Sequence, residues 1–228
     1  MKRQLETLAR IPLFRSLDAA AIARLDRVCI WRRVGAGEWV LDYQDQSTDL
    51  FFVLHGHVRV MIVSAGRELT LRDIRDGEFF GEIAALDGMP RSAGIVAITD
   101  TVVARMTAAA FRQSVHSHPD LCDQLLKLLA SQIRMLAIRV NEFSTLSVRQ
   151  RIYAELLRLA RPLQSGGTGA VISPPPTHAE LASRVSTHRE AVTRELKALE
   201  KARHLERRRG AFVLLDPDRL RRLIEEPG

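Results

Sequence analysis

A run of short β-rich segments between about Trp31 and Met106 is the feature that most restricts the fold of this chain. Turn signals rich in glycine and aspartate separate the segments, among them Asp76-Gly77 and Asp87-Gly88. Many short strands at this spacing are typical of a β-barrel or a double-sheet jelly roll. The predicted strands are 38–42, 50–54, 58–63, 69–74, 94–97 and 101–106. Helical spacing before them, with Ser16 or Asp18 as N-cap, and a short helix over 107–115 after them complete an N-terminal domain.

A long helix with a heptad repeat is predicted from Pro119 onward. Its apolar positions alternate in steps of four and three residues, which is the spacing of a coiled-coil seam. The seam consists of Cys122, Leu126, Leu129, Ile133, Leu136, Val140 and Phe143. This pattern favours a parallel two-stranded coiled coil and hence a two-fold homodimer. Packing of the helix on its own domain remains the alternative at this stage.

The last third of the chain carries the pattern of a winged helix-turn-helix. A helix over 148–159 precedes a Gly/Ser loop over 164–169, and Thr177 with Glu180 forms a capping box. Thr187 with Glu190 repeats the capping pattern, so two short helices are predicted, joined by residues 184–186. Ala182, Val185, Ala191, Val192, Leu196 and Leu199 supply the apolar contacts between them. The following ERRRGAFVLLD predicts a β-hairpin wing with arginines at its tip. The fold class is therefore α+β.

Charge separates the two ends of the 228-residue chain. Residues 1–144 carry 18 Lys/Arg and 17 Asp/Glu, whereas residues 145–228 carry 16 and 10. The basic C-terminal third is therefore expected to bind a polyanion. On the second helix, Arg189 and Arg194 are able to donate to guanine edges, and Glu190 is able to accept from a cytosine amino group. Double-stranded DNA is the expected partner, and the arginines of the wing would position its phosphates.

The stretch FFGEIAALDGMPRSAGIVA, residues 79–97, places an acid and a base among apolar neighbours. Glu82 follows Gly81, and Arg91 and Ser92 come nine and ten residues later. One interpretation is a buried ion pair, which gains little stability. The other is a pocket for a small anion that also carries hydroxyl groups.

These residues together resemble the Crp/Fnr family of bacterial transcription regulators over nearly the whole chain. Phe80-Gly81-Glu82 and Arg91-Ser92-Ala93 are similar to the family's phosphate-binding cassette, and Arg189, Glu190 and Arg194 match its Arg-Glu-x-x-x-Arg reading pattern. The resemblance implies an effector domain at 1–118, a dimerisation helix at 119–146 and a DNA-binding domain at 147–228. It implies that Arg91 and Ser92 hold a cyclic phosphate and that Glu82 accepts from the ribose 2′-hydroxyl. The implied ligand-binding residues are Gly81, Glu82, Ile83, Arg91, Ser92 and Ala93.

For DNA, the resemblance implies a TGTGA-like half-site repeated as a palindrome, with half-sites about 34 Å apart. The implied DNA-binding residues are Thr177, Glu180, Arg189, Glu190 and Arg194. Ser186 departs from the family, which usually has glycine in this turn, so strain is expected there.

A second departure concerns the base of the ligand. The family's Thr-Ser pair, which contacts the adenine amino group, corresponds to Leu136 and Ala137, and neither side chain forms hydrogen bonds. Gln132 is a nearby polar alternative for reading a base, with Ser131, Arg134 and Asn141. Cyclic AMP is the expected effector, and cyclic GMP, cyclic di-GMP and a ligand-independent regulator remain alternatives.

Other classes of protein find little support in the sequence. Two cysteines, Cys29 and Cys122, are too few for an iron–sulfur site. The histidine pairs His55/His57 and His116/His118 lack further metal ligands, so no metal and no cofactor are expected. A jelly-roll enzyme would need catalytic residues that the sequence does not offer, so no catalytic residue is predicted. Without an apolar run of 18 residues, a cytoplasmic protein with no membrane partner is expected. RNA polymerase is a further expected partner by resemblance, near residues 163–171.

Overall fold

A computed structural model describes residues 7–64, 66–163 and 168–226. The chain divides into two compact units, Met1–Ile133 and Arg134–Gly228. The predicted division at residues 118 and 146 remains a prediction, and one continuous helix, α4 (Pro119–Thr145), lies between those two positions. The Gly/Ser loop predicted over 164–169 and the segment assigned to RNA polymerase lie partly outside the described residues.

The first unit contains eight strands in two four-stranded antiparallel sheets. The strands are β1 (Ile30–Val34), β2 (Trp39–Leu41), β3 (Leu50–His55), β4 (His57–Ser64), β5 (Arg67–Arg75), β6 (Phe79–Phe80), β7 (Gly94–Ala97) and β8 (Thr101–Met106). One sheet has the order β1-β8-β3-β6 and the other β2-β7-β4-β5. The jelly-roll prediction is confirmed, and all six predicted strands are present. Strand β1 and the two-residue β6 were not predicted.

Alternating side chains from both sheets pack into a buried core, which includes Phe51, Val58, Ile74, Phe80 and Val103. The other face of the first sheet packs on helices. These are α1 (Ala19–Val28) and α3 (Ala108–Ser117), with the two short 3-10 helices Leu8–Arg10 and Pro12–Phe14. Asp18 Oδ1 accepts from Ala21 N at 2.6 Å and Thr107 caps α3, so both predicted helix starts are correct. A six-residue helix, α2 (Glu82–Asp87), was not predicted.

The N-terminal part of α4, which belongs to the first unit, contributes residues both outside and inside the predicted seam to the core of that unit. Leu121 and Leu125 are buried in the core, while Ile133 and Val140 of the seam are 67% and 65% exposed. Cys122 and Leu129 are half-buried against the same core. Most of the seam is therefore free in the single chain. Among the described residues, no helix is long and apolar enough to cross a membrane.

The second unit is the predicted winged helix-turn-helix. It contains α5 (Val148–Leu159), α6 (His178–Val185), α7 (Arg189–Lys201), α8 (Pro217–Glu225) and a sheet of order β11-β12-β10-β9. The strands are β9 (Arg161–Pro162), β10 (Ala170–Ile172), β11 (Leu205–Arg208) and β12 (Ala211–Leu214). The hairpin β11–β12 is the wing. Ala182, Val185, Val192, Leu196 and Leu199 are buried as predicted, whereas Ala191 is half-buried.

Two details of the helix-turn-helix prediction are wrong. The connection is Ser186, Thr187 and His188, because α6 continues through Val185. The second capping box does not form, since α7 begins at Arg189 after His188, which makes no side-chain cap. Thr187 instead donates its backbone N–H to the Ala182 carbonyl at 3.0 Å and closes the end of α6.

Candidate ligand and nucleic-acid sites

Gly81 sits where β6 ends and α2 begins, in the left-handed conformation with φ 84°. A β-carbon there would lie 2.8 Å from both Arg91 Nη1 and the Asp49 carbonyl oxygen. Only glycine satisfies both the backbone angle and this close approach. The glycine therefore lets the Arg91 guanidinium lie directly against the backbone turn.

Arg91 is buried and fixed by three hydrogen bonds to uncharged acceptors. Its Nη2 donates to the Asp49 carbonyl at 2.7 Å, its Nη1 to the Gly81 carbonyl at 3.2 Å, and its Nε to Ser47 Oγ at 3.1 Å. Burial lowers the pKa of this guanidinium, and the carboxylates of Asp45, Asp49 and Glu82 oppose that shift. An arginine keeps its charge under these conditions. The site thus holds an oriented cation that no ion pair neutralises among the described residues.

Glu82 is 5% exposed at the first position of α2. Its carboxylate makes no hydrogen bond or salt bridge to any residue that the structure describes, Arg91 included. The buried ion pair considered from the sequence is therefore absent. The carboxylate oxygens are therefore not engaged by any described residue, and a ligand hydroxyl is able to donate to them.

The remaining cassette residues differ in exposure. Ala93 is buried, Ile83 is 45% exposed, and Ser92 is exposed with no hydrogen bond to a described residue. The Ser92 hydroxyl is therefore available. The structure brings Gly81, Glu82 and Arg91 together as predicted.

Replacing Gly81 by alanine is expected to lower cyclic-nucleotide affinity about tenfold or more, because the added carbon displaces the guanidinium and weakens a charge-assisted hydrogen bond. Gly88→Ala is the matched control, since Gly88 has φ 74° with nothing within 4 Å of the added carbon. Both variants place alanine in the left-handed region, so thermal unfolding should show a loss of stability of about 1 kcal/mol in each. Equal ligand affinities in the two variants would contradict the assigned role of the Gly81 approach.

The residues of α4 that were predicted to read a base are half-buried or exposed. Gln132 is half-buried, and Leu136 and Ala137 are exposed. Leu136 and Ala137 carry no polar side-chain atom. Neither side chain is therefore able to accept a hydrogen bond from an adenine amino group.

In the second unit, Thr177 and Glu180 form the predicted capping box. Glu180 N donates to Thr177 Oγ1 at 3.2 Å, and Thr177 N donates to Glu180 Oε2 at 2.8 Å. Their side chains thus fix the start of α6, and His178 next to them bonds Thr193 of α7 at 2.7 Å. Desolvation and the cations Arg207 and Arg189 lower the pKa of His178. Any direct contact of Thr177 or Glu180 with DNA remains a prediction.

Helix α7 has one buried and one exposed face. Val192, Leu196 and Leu199 are buried, whereas Arg189, Glu190 and Arg194 are exposed. These three polar side chains make no hydrogen bond or ion pair with a described residue. They are therefore free to contact base edges.

The wing arginines, predicted as a set of phosphate contacts, differ from one another. Arg207 pairs with Glu200 and lies 5.3 Å from the Phe212 ring centroid, and Arg208 pairs with Glu206 at 3.0 Å. Arg209, in the hairpin turn, is exposed and has no partner among the described residues. Arg209 is the wing cation most available to a phosphate.

A buried ion cluster centred on Glu155 was not predicted from the sequence. Glu155 of α5 is 2% exposed and binds Arg139 of α4 at 2.8 Å, Arg184 of α6 at 3.4 Å, and Arg158. Arg139 also donates to the Arg184 carbonyl, and Arg158 bonds Glu142 at 2.5 Å. Burial lowers the pKa of Arg139, against the carboxylate of Glu155. Two spacings of three residues, Arg139 to Glu142 and Glu155 to Arg158, are the local signals of this cluster in the sequence.

Helix α5 also contacts α7, the helix with the exposed polar face. The Tyr153 hydroxyl donates to Glu195 and accepts from Arg149 Nε at 2.8 Å. Burial and the Glu195 hydrogen bond raise the pKa of Tyr153 to about 12. Together with the Glu155 cluster, these bonds fix both helices of the helix-turn-helix to α5.

Replacing Ser186 by glycine is expected to raise the free energy of unfolding by about 0.5–1 kcal/mol, because serine has φ 52° there and glycine carries little penalty in that region. Ser186→Ala is the control, since it removes the hydroxyl and keeps the strain. Urea unfolding followed by circular dichroism measures both variants. No gain for glycine over alanine would show that the turn is unstrained.

The fold and these two sites define a DNA-binding regulator with a cyclic-nucleotide-binding domain. A family model for a cyclic nucleotide-binding domain matches residues 31–118, and one for a Crp-like helix-turn-helix domain matches residues 150–223. The chain belongs to the Crp/Fnr family of transcription regulators. The family recognised in the sequence is thereby confirmed.

Curated relatives agree with this assignment, and solved structures agree with the fold. The chain is 30% identical over 158 residues to the cAMP-activated global transcriptional regulator CRP of Salmonella typhimurium, covering 68% of this chain and 75% of that protein. It is 27% identical to the CRP-like cAMP-activated global transcriptional regulator of Mycobacterium tuberculosis, covering 84% and 86%. The fold matches a mutant of CooA from Carboxydothermus hydrogenoformans with a TM-score of 0.79, 19% identity and coverage of 94% and 95%. It also matches the c-di-GMP responsive regulator CLP of Xanthomonas campestris with a TM-score of 0.74, 24% identity and coverage of 86% and 99%.

Proposed function

We propose that this protein is a homodimeric, sequence-specific DNA-binding regulator, without enzymatic activity, whose affinity for DNA is controlled by a cyclic nucleotide bound in the barrel. The observation that carries the proposal is the arrangement at Gly81, where the largely buried Glu82 and Arg91 flank one turn and form no ion pair with each other or with another described residue. An acid and a base that avoid pairing with each other are arranged for a third molecule. Cyclic AMP is the first ligand to test, because curated relatives are described as cAMP-activated.

The chemistry of a cyclic nucleotide fits both groups. Its phosphate keeps one negative charge, which the Arg91 guanidinium balances, and the free Ser92 hydroxyl adds a hydrogen bond. Its ribose 2′-hydroxyl donates to the Glu82 carboxylate. A simple inorganic anion would satisfy Arg91 and leave Glu82 without a donor.

The exposed seam of α4 supports the homodimer. Leu126, Ile133, Leu136 and Val140 are between 47% and 67% exposed and follow heptad spacing, a pattern that a partner helix buries. Sedimentation velocity should give twice the mass of one chain. A monomer at micromolar concentration would contradict this part of the proposal.

The DNA-binding part rests on the free face of α7. Two such helices in a two-fold dimer would read the half-sites of a TGTGA-like palindrome about one helical turn, roughly 34 Å, apart. Ligand control requires that the nucleotide bind the DNA-competent state more tightly than the other state. RNA polymerase is a further proposed partner, and a cytoplasmic location follows from this role.

Calorimetric titration of the full chain with cyclic AMP, cyclic GMP and cyclic di-GMP tests the ligand. We expect saturable binding of a cyclic mononucleotide that Ser92→Ala weakens by roughly 2- to 15-fold, the effect of one hydrogen bond. Ser47→Ala, which removes the acceptor of Arg91 Nε, is a control for the arginine's orientation. Absence of heat with every nucleotide, together with unchanged DNA binding, would refute the sensor and leave a ligand-independent regulator.

A further inference from the structure

Arg72 on β5 is an arginine that faces the interior of the barrel. In the β4–β5 ladder, Val58 pairs with Ile74 and Val60 pairs with Arg72. Residues two apart on a strand share a face. Ile74 is fully buried in the core between the two sheets, so Arg72 lies on that same face.

The guanidinium of Arg72 reaches the segment that leads into the cassette. Its Nη2 donates to the Phe79 carbonyl at 3.2 Å. The Gly81 carbonyl, two residues further on, accepts from Arg91 Nη1. At most roughly 7 Å of chain separates the two carbonyls. Two guanidinium groups therefore contact the three-residue segment 79–81, which ends directly before Glu82.

Arg72 has hydrogen-bonding capacity left over. A guanidinium carries five N–H donors, and Arg72 has one hydrogen bond and no salt bridge among the described residues. Core-facing arginines usually pair with a carboxylate. The remaining donors of Arg72 are available to a ligand that occupies the cassette.

The chemistry of those donors distinguishes two purines. Guanine presents two acceptors, N7 and O6, on one edge, and bidentate arginine is their commonest partner. Adenine presents an acceptor and an amino donor there, so one N–H of a guanidinium would face another donor. The family position that serves the adenine amino group is occupied here by Leu136 and Ala137, which have no acceptor. Both observations favour guanine over adenine.

We propose that Arg72 contacts the base of the cyclic nucleotide and makes this site prefer cyclic GMP to cyclic AMP. The proposal rests on the proposed function, because it requires a nucleotide at Glu82 and Arg91. It gives the site a base preference that the phosphate and ribose contacts do not supply. Arg72 is thus a specificity-determining residue of the ligand site.

The test compares cyclic GMP and cyclic AMP by calorimetry on the full chain, on Arg72→Gln and on Arg75→Gln. Glutamine has a donor and an acceptor and matches the adenine edge. We expect the wild type to bind cyclic GMP about tenfold or more tightly, and R72Q to lose or invert this ratio. Arg75 is exposed on the same strand, so R75Q should keep the ratio. Because a ratio is measured within each variant, a general loss of stability does not imitate the effect.

The outcomes separate the two proposals. Equal binding of both nucleotides by the wild type, unchanged in R72Q, would overturn the role of Arg72 and leave the cyclic-nucleotide sensor intact. No binding of either nucleotide by the wild type would overturn both. Tightest binding of cyclic di-GMP, weakened in R72Q at a constant GMP-to-AMP ratio, would make Arg72 a phosphate contact and refute the base contact.

Discussion

Replacing Arg189 and Arg194 together by alanine is expected to lower affinity for a TGTGA palindrome by about 2–6 kcal/mol, or roughly 30- to 10⁴-fold. Both side chains lie on the exposed face of α7 and have no partner among the described residues, so their removal leaves the fold undisturbed. Each bidentate arginine contact to a guanine contributes about 1–3 kcal/mol of discrimination. Binding to a scrambled duplex should fall much less, because phosphate contacts are kept.

Fluorescence anisotropy with palindromic and scrambled duplexes at one fixed salt concentration measures this ratio. Arg209→Ala is the control, since Arg209 is exposed on the wing and is expected to contact phosphate. That variant should weaken binding to both duplexes alike. It should also reduce the salt dependence of the affinity by about one phosphate contact. If the double variant kept the ratio of specific to non-specific binding, α7 would not be the reading helix.

Replacing Glu155 by alanine is expected to destabilise the protein by about 3–5 kcal/mol, the usual cost of removing one partner from a buried ion pair. Glu155 is the common acceptor of Arg139, Arg158 and Arg184, so its removal takes one carboxylate from three largely buried arginines. The urea concentration at the midpoint of unfolding, followed by circular dichroism, should fall by roughly 1–3 M. Because α5 and α6 share this cluster, DNA binding should fall as well.

Glu206→Ala is the matched control for this experiment. Glu206 also pairs with an arginine, but its side chain is 46% exposed, and exposed pairs contribute less than about 1 kcal/mol. Trp31 and Trp39 both lie in the first unit, so tryptophan fluorescence follows that unit separately. A loss of stability in E155A no larger than in E206A would show that the cluster does not stabilise the second unit.

The sequence predicts the elements that depend on local chemistry. Asp18, Thr107 and Thr177 each cap the helix that follows, because a capping hydrogen bond spans only two or three residues. The six longer strands follow from their composition and the turns between them. The left-handed conformation of Ser186 was expected only from the resemblance to a family that usually has glycine in this turn.

Features that depend on distant residues are not predictable in this way. Thr187 and Glu190 have the capping pattern, but the Ser186 turn commits the Thr187 N–H to Ala182, and no local rule anticipates that competition. The approach of Gly81 to Asp49 and the cluster at Glu155 join segments far apart in the chain. The cassette was found because its spacing resembles a known family, and its lack of an internal ion pair became visible only in three dimensions.

The central claim is that a cyclic nucleotide in the barrel controls DNA binding by the second unit. Its most direct test is the affinity of the full chain for the palindromic duplex, by anisotropy at fixed salt, without nucleotide and with saturating cyclic GMP or cyclic AMP. Allosteric coupling of the usual size, 1–3 kcal/mol, predicts a change of roughly 5- to 150-fold with at least one nucleotide and none in Arg91→Gln. The same affinity in all three conditions would contradict the account.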